Sequence, residues 1–215
     1  MSKSAFISMA VIRRLPRYYR YIHRLWLDGV TRISSRGLAD RMELTASQVR
    51  QDFNCFGEFG QQGCGYDVAL LNTEIAKILG LNEGYRVIMM GAGRLGSSII
   101  ENFNFESRGF HLAAVFDSDP NKIGTEIDGL KINDPADLEG LCGGRECPEI
   151  GVLCVPREVA RECALALKKA GVKAIWNFTS ENLYDLGLVV ENVHISDSIL
   201  TLGYRLNELE RELYG

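Results

Sequence analysis

The spacing of apolar residues changes near residue 85 of the chain. Before this point they recur at helical spacing, which predicts a helix from Pro16 to about Asp28 and two shorter helices joined by the turn 43–45. Two short helices joined by a tight turn are typical of a helix-turn-helix. After residue 85, short apolar runs alternate with amphipathic stretches, as in a βαβ unit. The pattern therefore predicts two domains of different class.

A β-hairpin is predicted directly after the helix-turn-helix. Residues 56–66 contain four glycines within nine residues, with aromatic side chains on either side, and Gln61 and Gln62 lie at the predicted tip. A hairpin in this place is the wing of a winged helix. Asp67 then begins a further helix. We therefore expect a winged helix-turn-helix domain over residues 1–80.

The helix that follows the turn has an inner and an outer face. It begins with a capping box of Thr45 and Gln48, and its apolar side chains face the domain core. The polar outer face, which enters the major groove in this motif, consists of Ser47, Arg50, Gln51 and Asn54. Arginine can bind guanine through two hydrogen bonds, and glutamine or asparagine can bind adenine likewise. This face is our candidate DNA-reading surface.

Charge is distributed unevenly between the two predicted domains. The chain has a net charge of −4, but residues 1–54 hold ten basic and four acidic side chains, so this segment carries +6 and the remainder −10. Nine of the ten basic residues are arginines, whose planar guanidinium groups bind phosphate well. The split favours an anionic partner for the N-terminal domain. The alternative is a solvated, arginine-rich helix face.

The second domain opens with an apolar strand, a glycine-rich turn and a helix. The turn has the G-x-G-x-x-G pattern of dinucleotide-binding folds and reads Gly91-Ala92-Gly93-Arg94-Leu95-Gly96. The first glycine allows a tight turn, the second lets the backbone approach a pyrophosphate, and the third lets the helix pack against the strand. The alternative is that these glycines only join two elements.

A carboxylate follows the next apolar run. Asp117 lies 21 residues after Gly96. At this position a carboxylate accepts hydrogen bonds from the adenosine ribose hydroxyls and would repel a 2′-phosphate. We therefore predict an α/β Rossmann domain over residues 85–195, with a doubly wound parallel sheet, that binds NAD or NADH in preference to NADP.

Two later strands place further residues at the ligand end of this sheet. Ligands bind beyond the carboxyl ends of parallel strands. The nicotinamide side is therefore predicted at Val155, Pro156, Asn177 and Phe178. Simple packing at the strand ends is the alternative explanation for these four residues.

The final segment, residues 196–215, predicts a long helix. Its apolar residues recur at intervals of three and four and form one stripe that needs a partner. The stripe can pack on its own subunit or on a second copy, and the pattern alone does not decide between them. We treat this segment as a dimerisation helix.

The composition of the chain argues against a membrane protein, a secreted protein and a metal-binding protein. Apolar residues make up 46% of the chain, but no run approaches the roughly 18 residues of a membrane span, and no signal peptide is expected. The six cysteines form no C-x-x-C pair and lack a nearby histidine. We therefore expect no metal, and reduced thiols in a cytoplasmic protein.

The main rival function is that of an NAD-dependent dehydrogenase. Such an enzyme needs an acid–base residue beside the nicotinamide. Of the three histidines, His23, His111 and His194, only His194 lies near the predicted ligand end. We therefore expect that the protein is not an enzyme.

Several motifs together resemble one family. They are Arg14-Leu-Pro, Tyr18-Tyr-Arg-Tyr, Gln48-Val-Arg-Gln-Asp-Phe, Phe56-Gly-Glu-Phe-Gly, Gly63-Cys-Gly-Tyr, the glycine turn, Phe116-Asp-Ser-Asp-Pro, Val155-Pro-Arg-Glu and Asn177-Phe. In this order they span nearly the whole chain, which resembles the Rex family of bacterial redox-sensing transcriptional repressors. The resemblance implies a homodimer that exchanges its C-terminal helices and binds double-stranded operator DNA, with Arg14 in the DNA-contacting set. It also implies that NADH releases the DNA, whereas NAD+ permits binding.

The chain departs from this family at its DNA-reading surface. Gln51, Gln61 and Gln62 stand where family members commonly have basic residues. Each lost phosphate contact weakens binding and lowers its salt dependence. We therefore hypothesise weaker or altered DNA binding.

The chain also departs from the family's switch. The family's arginine is present as Arg20, but Asn102 aligns with a tyrosine and His194 with an aspartate. A histidine cannot hold an arginine as an aspartate does. A Rex-like protein that binds NAD(H) but has lost redox coupling therefore stays open as a second hypothesis.

Overall fold

The chain folds into two compact units. The computed structural model describes residues 7–57, 59–61, 65–141 and 147–214. Unit 1 comprises Met1–Glu83 and unit 2 comprises Gly84–Gly215. Helix α8, at the C-terminus, belongs to unit 2.

Unit 1 is a helical domain with a small antiparallel sheet. Its helices are α1 (Met9–Leu27), α2 (Ser35–Met42), α3 (Ala46–Asn54) and α4 (Val68–Ile78). Its strands are β1 (Arg32–Ile33), β2 (Gly60–Gln61) and β3 (Gly65–Asp67), in the order β1-β3-β2. The core includes the fully buried Tyr18, Ile22, Leu38, Phe53 and Leu71. The helix-turn-helix is formed by α2 and α3, and β2 with β3 forms the hairpin of the wing.

Helix α1 is longer than its sequence pattern predicts. It begins at Met9, after the N-cap Ser8, and Pro16 lies within it rather than in its first turn. A proline inside a helix costs about 3 kcal/mol. The extra turns bury Val11 and Leu15, and burying each such side chain contributes about 1.5–3 kcal/mol. This burial offsets the bond lost at Pro16.

Unit 2 is built on a seven-stranded sheet. Its strands are β4 (Tyr85–Met90), β5 (Phe110–Phe116), β6 (Glu126–Ile127), β7 (Leu130–Asn133), β8 (Ile150–Leu153), β9 (Ala174–Asn177) and β10 (Val189–Asn192). The order is β10-β9-β8-β4-β5-β7-β6, and each neighbouring pair is parallel except β6 with β7. Strand β4 lies between β5 and β8. The strands that follow it in the sequence are added first on its β5 side and then on its β8 side. This is the switch point at which doubly wound sheets bind ligands.

Helices lie on both faces of this sheet. They are α5 (Arg94–Asn102), α6 (Leu138–Leu141) and α7 (Arg157–Lys169), and a further helix, α8 (Ile195–Tyr214), follows the last strand. On one face Val87 and Met89 pack with Ile100 of α5, and on the other Ile88 packs with Leu167 of α7. The α5 face also carries an apolar groove of about 260 Å³, lined in part by Phe103, Val152, Trp176 and Val189.

Helix α8 differs from the other long helices of the chain. None of its described residues is buried, and Leu202, Leu206 and Leu209 are each more than half exposed. Its apolar stripe is therefore not covered by its own unit. No helix in the part of the chain that the structure describes is long and apolar enough to cross a membrane.

Candidate functional site

The glycine turn joins β4 to α5 at the switch point of the sheet. Gly91 has a φ of 98°, in the left-handed region that favours glycine. A Cβ at Gly91 would lie 2.5 Å from the Cys154 carbonyl oxygen, and one at Gly96 would overlap the Gly91 carbonyl oxygen. The first glycine is thus required because the turn lies close to the backbone after β8. The third is required because the start of α5 lies close to the turn.

Gly93 has a different environment from the other two. It is the N-cap of α5 and offers no side chain to the free N–H groups of the first turn. A Cβ at Gly93 would meet no atom within 4 Å. The fold therefore does not require glycine here, but a Cβ would project into open space above the helix N-terminus. Such a helix N-terminus is suited to a phosphate group, so the turn fits a pyrophosphate.

Asp117 lies beside this turn, directly after β5. Its Oδ2 accepts from the Ala92 N–H at 2.8 Å and from Lys122 Nζ at 3.1 Å, and its Oδ1 accepts from the Asp119 N–H at 2.9 Å. Burial alone would raise the pKa of Asp117, but these three donors together lower it below its usual range. The carboxylate is therefore ionised and oriented at the edge of the glycine turn. The sequence pattern did not indicate Lys122, because nothing in its spacing relates it to Asp117.

The predicted nicotinamide residues lie at the ends of β8 and β9. Val155 is half-buried, and Pro156 is the N-cap of α7, which has no side-chain cap. Asn177 is fully buried: its Nδ2 donates to Asn192 Oδ1 at 2.8 Å, and its Oδ1 accepts from Thr179. It anchors the loop after β9. A direct contact of any of these residues with a cofactor stays a prediction.

Cys154 directly follows β8 and packs against the glycine turn. Its carbonyl oxygen faces Gly91, and its Cβ would lie 3.4 Å from a Cβ at Gly96. Burial raises the pKa of its thiol to about 12. The thiol is therefore protonated and unreactive at neutral pH, and Cys154 has a packing role here.

Helix α3 presents the predicted polar face. The side chains of Ser47, Arg50, Gln51 and Asn54 are all exposed, while Val49 and Phe53 are buried. The Thr45 hydroxyl accepts from the Gln48 N–H at 3.1 Å and caps the helix. Arg50 donates to the Ser35 hydroxyl at 3.1 Å, so α2 orients it.

Arg14 has a structural role that the sequence did not predict. Its Nε and Nη2 donate to the two carboxylate oxygens of Asp52 at 2.7 and 2.8 Å. Asp52 is 2% exposed and also accepts from the Tyr18 hydroxyl at 2.9 Å. The ion pair thus joins α1 to the inner face of α3. A direct contact of Arg14 with DNA stays a prediction, because the ion pair accounts for only two of the five guanidinium N–H groups.

The wing is only partly described. Strand β2 pairs antiparallel with β3, with Gln61 opposite Gly65, which is the predicted hairpin. Gln62, at the tip, lies outside the described residues.

The three predicted switch residues lie at exposed positions. Arg20 is on α1, Asn102 ends α5 and donates to the Ser98 carbonyl at 2.9 Å, and His194 precedes α8. No contact described in unit 2 joins Asn102 to His194. The role of these residues in the switch, and its hypothesised loss at Asn102 and His194, stay predictions.

Comparisons with known proteins identify the family of the chain. Family models described as "Putative DNA-binding protein N-terminus" and "CoA binding domain" match residues 6–54 and 82–181. The redox-sensing transcriptional repressor Rex of Thermoanaerobacter sp. (strain X514) is 48% identical over 98% of this chain and 94% of its own. This chain belongs to the Rex family. The Rex repressor of Clostridium beijerinckii is 47% identical over 98% of this chain and 100% of its own.

Solved structures agree with the Rex assignment and with the predicted fold. The crystal structure of RSP with β-NAD+ and operator DNA has a TM-score of 0.87 and 47% identity, and covers 96% of this chain and 95% of its own. The structure of RSP with β-NADH has a TM-score of 0.86 and 44% identity, over 96% and 97% of the two chains. RSP is described as a Rex-family repressor. The relatives are named repressors and not enzymes, so the dehydrogenase hypothesis is not supported.

Proposed function

We propose that the protein is a transcriptional repressor that binds operator DNA when NADH is low and releases it when NADH binds. The observation that carries this function is the open N-terminus of α5 at Gly93, with the Asp117 carboxylate held beside it. Binding to operator DNA also supports a cytoplasmic location, which we propose for the protein.

The geometry supports NAD(H) over coenzyme A, although one matching family model is described as CoA-binding. The glycine turn offers the free N–H groups of α5 to a pyrophosphate. Asp117 offers a carboxylate to a ribose that carries free hydroxyls, whereas the 3′-phosphate of coenzyme A would lie close to that negative charge. The bound cofactor supplies the redox state that is sensed.

Unit 1 supports binding to double-stranded DNA. Helix α3 presents Arg50 and three uncharged polar side chains, and residues 1–54 carry a net charge of +6. Gln51 adds hydrogen bonds but no charge, so we expect a smaller salt dependence than a lysine would give.

The apolar surfaces of unit 2 support a homodimer. Helix α8 leaves its stripe uncovered, and the groove beside Phe103 and Trp176 is a second apolar surface on the same unit. A second copy of the chain can cover both surfaces. Exposed apolar patches of this kind mark interaction sites in proteins.

A titration of operator affinity tests the proposed function. Fluorescence anisotropy on a Rex-type operator, without cofactor and with saturating NAD+ or NADH, measures the coupling. We expect NADH to weaken binding about 100-fold, which corresponds to about 2.7 kcal/mol.

Gly93→Ala provides a sharp variant for this titration. Because its Cβ meets no protein atom, the fold is kept, but the methyl group lies in the way of the pyrophosphate. We expect NADH to lose its effect on operator affinity in this variant. Gly140→Ala in α6, whose Cβ is equally free, is the matched control and keeps the NADH response.

A second function rests on the exposed His194 and the uncharged Gln51. In this alternative the protein binds NAD(H) and operator DNA, but the two events are uncoupled. Equal operator affinity with NADH and with NAD+, together with measurable NADH binding, would establish this alternative and overturn the sensor.

A further inference from the structure

The carboxylate that we predict to face the adenosine ribose, Asp117, is paired with a lysine. Lys122 Nζ lies 3.1 Å from Asp117 Oδ2, and the two side chains are 35% and 11% exposed. Both side chains are therefore partly exposed to solvent, but less than those of an ion pair on the open protein surface. One of the three N–H bonds of the ammonium group is directed to Asp117, which leaves two for other acceptors.

The position of Lys122 is fixed by the backbone around it. Its N–H donates to the Asp119 carbonyl at 2.9 Å, and its own carbonyl accepts from the Thr125 hydroxyl at 2.7 Å. The Asp119 N–H in turn donates to Asp117. One compact turn therefore holds both the carboxylate and the ammonium group.

We propose that Lys122 is a second determinant of cofactor choice, which orients Asp117 for the ribose hydroxyls of NAD(H) and would bind a 2′-phosphate once Asp117 is removed. This inference rests on the proposed binding of NAD(H). It adds that one carboxylate, that of Asp117, determines the preference for NAD(H) over NADP(H), whereas the neighbouring Lys122 favours NADP(H).

The charges of the two cofactor types explain the proposal. A 2′-phosphate carries about −1.5 to −2 charges near neutral pH, and Asp117 opposes it. Without Asp117, Lys122 keeps its ammonium group at this position and can donate charge-assisted hydrogen bonds to phosphate oxygens. Such bonds contribute about 1.5–3 kcal/mol each, which corresponds to about 10- to 100-fold in affinity.

Direct binding measurements on the full chain test the proposal without DNA. Calorimetry gives the affinities of NADH and NADPH for the wild type, Asp117→Ser, Lys122→Met and the double variant. We expect Asp117→Ser to tighten NADPH binding at least 10-fold, and Lys122→Met in that background to remove most of this gain. Lys122→Met alone weakens NADH about threefold, because Asp117 loses one donor and its orientation.

Controls separate this proposal from the proposed function. Lys131→Met removes an exposed lysine from β7 and leaves the Asp117 pair intact, so neither affinity changes. Asp117→Asn is the second variant if Asp117→Ser does not fold. A wild type that fails to bind NADH overturns the proposed function. A wild type that binds NADH, with equal NADPH affinity in Asp117→Ser and the double variant, overturns the role of Lys122 alone.

Discussion

The two units begin their helices in different ways. In the described part of unit 1 the four helices each start with a side-chain cap, from Ser8, Ser34, Thr45 and Asp67. In unit 2 the helices that start at the ligand end of the sheet, α5 and α7, begin at Gly93 and Pro156 without one. A cap satisfies backbone N–H groups that an uncapped helix leaves for water or a ligand.

The two units also treat their long amphipathic helices differently. Helix α1 buries five residues of its stripe within unit 1, whereas α8, of similar length, buries none within unit 2. Unit 1 thus caps its helices and buries the stripe of α1 within itself. Unit 2 leaves helix N–H groups and the stripe of α8 open to a ligand or a partner.

The largest expected effect is on the attachment of α1 in unit 1. Asp52→Ala leaves the Arg14 guanidinium without its buried partner, and we expect a loss of about 3–5 kcal/mol in the free energy of unfolding. Denaturant titration measures this loss. Asp28→Ala, which breaks the exposed pair with Arg24 on α1, is the control, and its expected cost is below about 1 kcal/mol. Equal losses in the two variants would refute the structural role of the Asp52 pair.

A smaller effect is expected from the stripe of α8. Leu206→Glu places a charge on the stripe, and we expect the dimer dissociation constant to rise about 100-fold. This corresponds to about 1.4 kcal/mol for each protomer, as expected for a leucine that is partly buried in the dimer. Sedimentation across a concentration series measures it. Asn207→Glu adds the same charge beside the stripe and should have less than a tenth of this effect. A wild type that stays monomeric throughout contradicts the homodimer.

The caps of unit 1 provide a third test. Thr45→Ala removes the acceptor for the Gln48 N–H, and we expect a loss of about 1 kcal/mol in stability. Thr73→Ala removes a hydroxyl that bonds to the Ala69 carbonyl within α4, and this control should leave stability nearly unchanged. If Thr45→Ala also leaves stability unchanged, the difference in helix capping between the two units contributes little to the free energy of unfolding.

The smallest effect concerns pH and unit 2. Because the pKa of Asp117 is lowered in the folded state, its contribution to stability is present above the unfolded pKa of about 3.9 and is lost as pH falls through the lower, folded value. Thermal unfolding of the wild type and Asp117→Asn should therefore differ at pH 7 and converge below about pH 4. A difference that grows on acidification contradicts this assignment.

The sequence predicted what depends on local spacing. The apolar stripes and caps predicted the helices of unit 1, and the three glycines predicted the turn, because each signal lies within a few residues. The pair of Arg14 and Asp52 joins residues 38 positions apart, and no local pattern reports such a contact. Lys122 lies only five positions from Asp117, but their contact depends on how the turn after β5 folds back, and no spacing rule reports this.

Pro16 shows a second limit of prediction from sequence, in which a local rule gives the wrong helix start. Local rules place a proline at the start of a helix, and the rule fails here because the core of unit 1 needs the preceding turns. Tertiary burial decided the start of α1, and that burial is visible only once Val11 and Leu15 are placed against their neighbours.

The close packing of Gly96 against the Gly91 carbonyl has an evolutionary consequence. A side chain at position 96 would overlap a main-chain atom, and no replacement of a neighbouring side chain can remove a main-chain atom. Position 96 therefore has no compensating partner elsewhere in the protein. An exposed residue such as Arg94 is open to replacement, whereas Gly96 can be exchanged only if the turn itself is rebuilt.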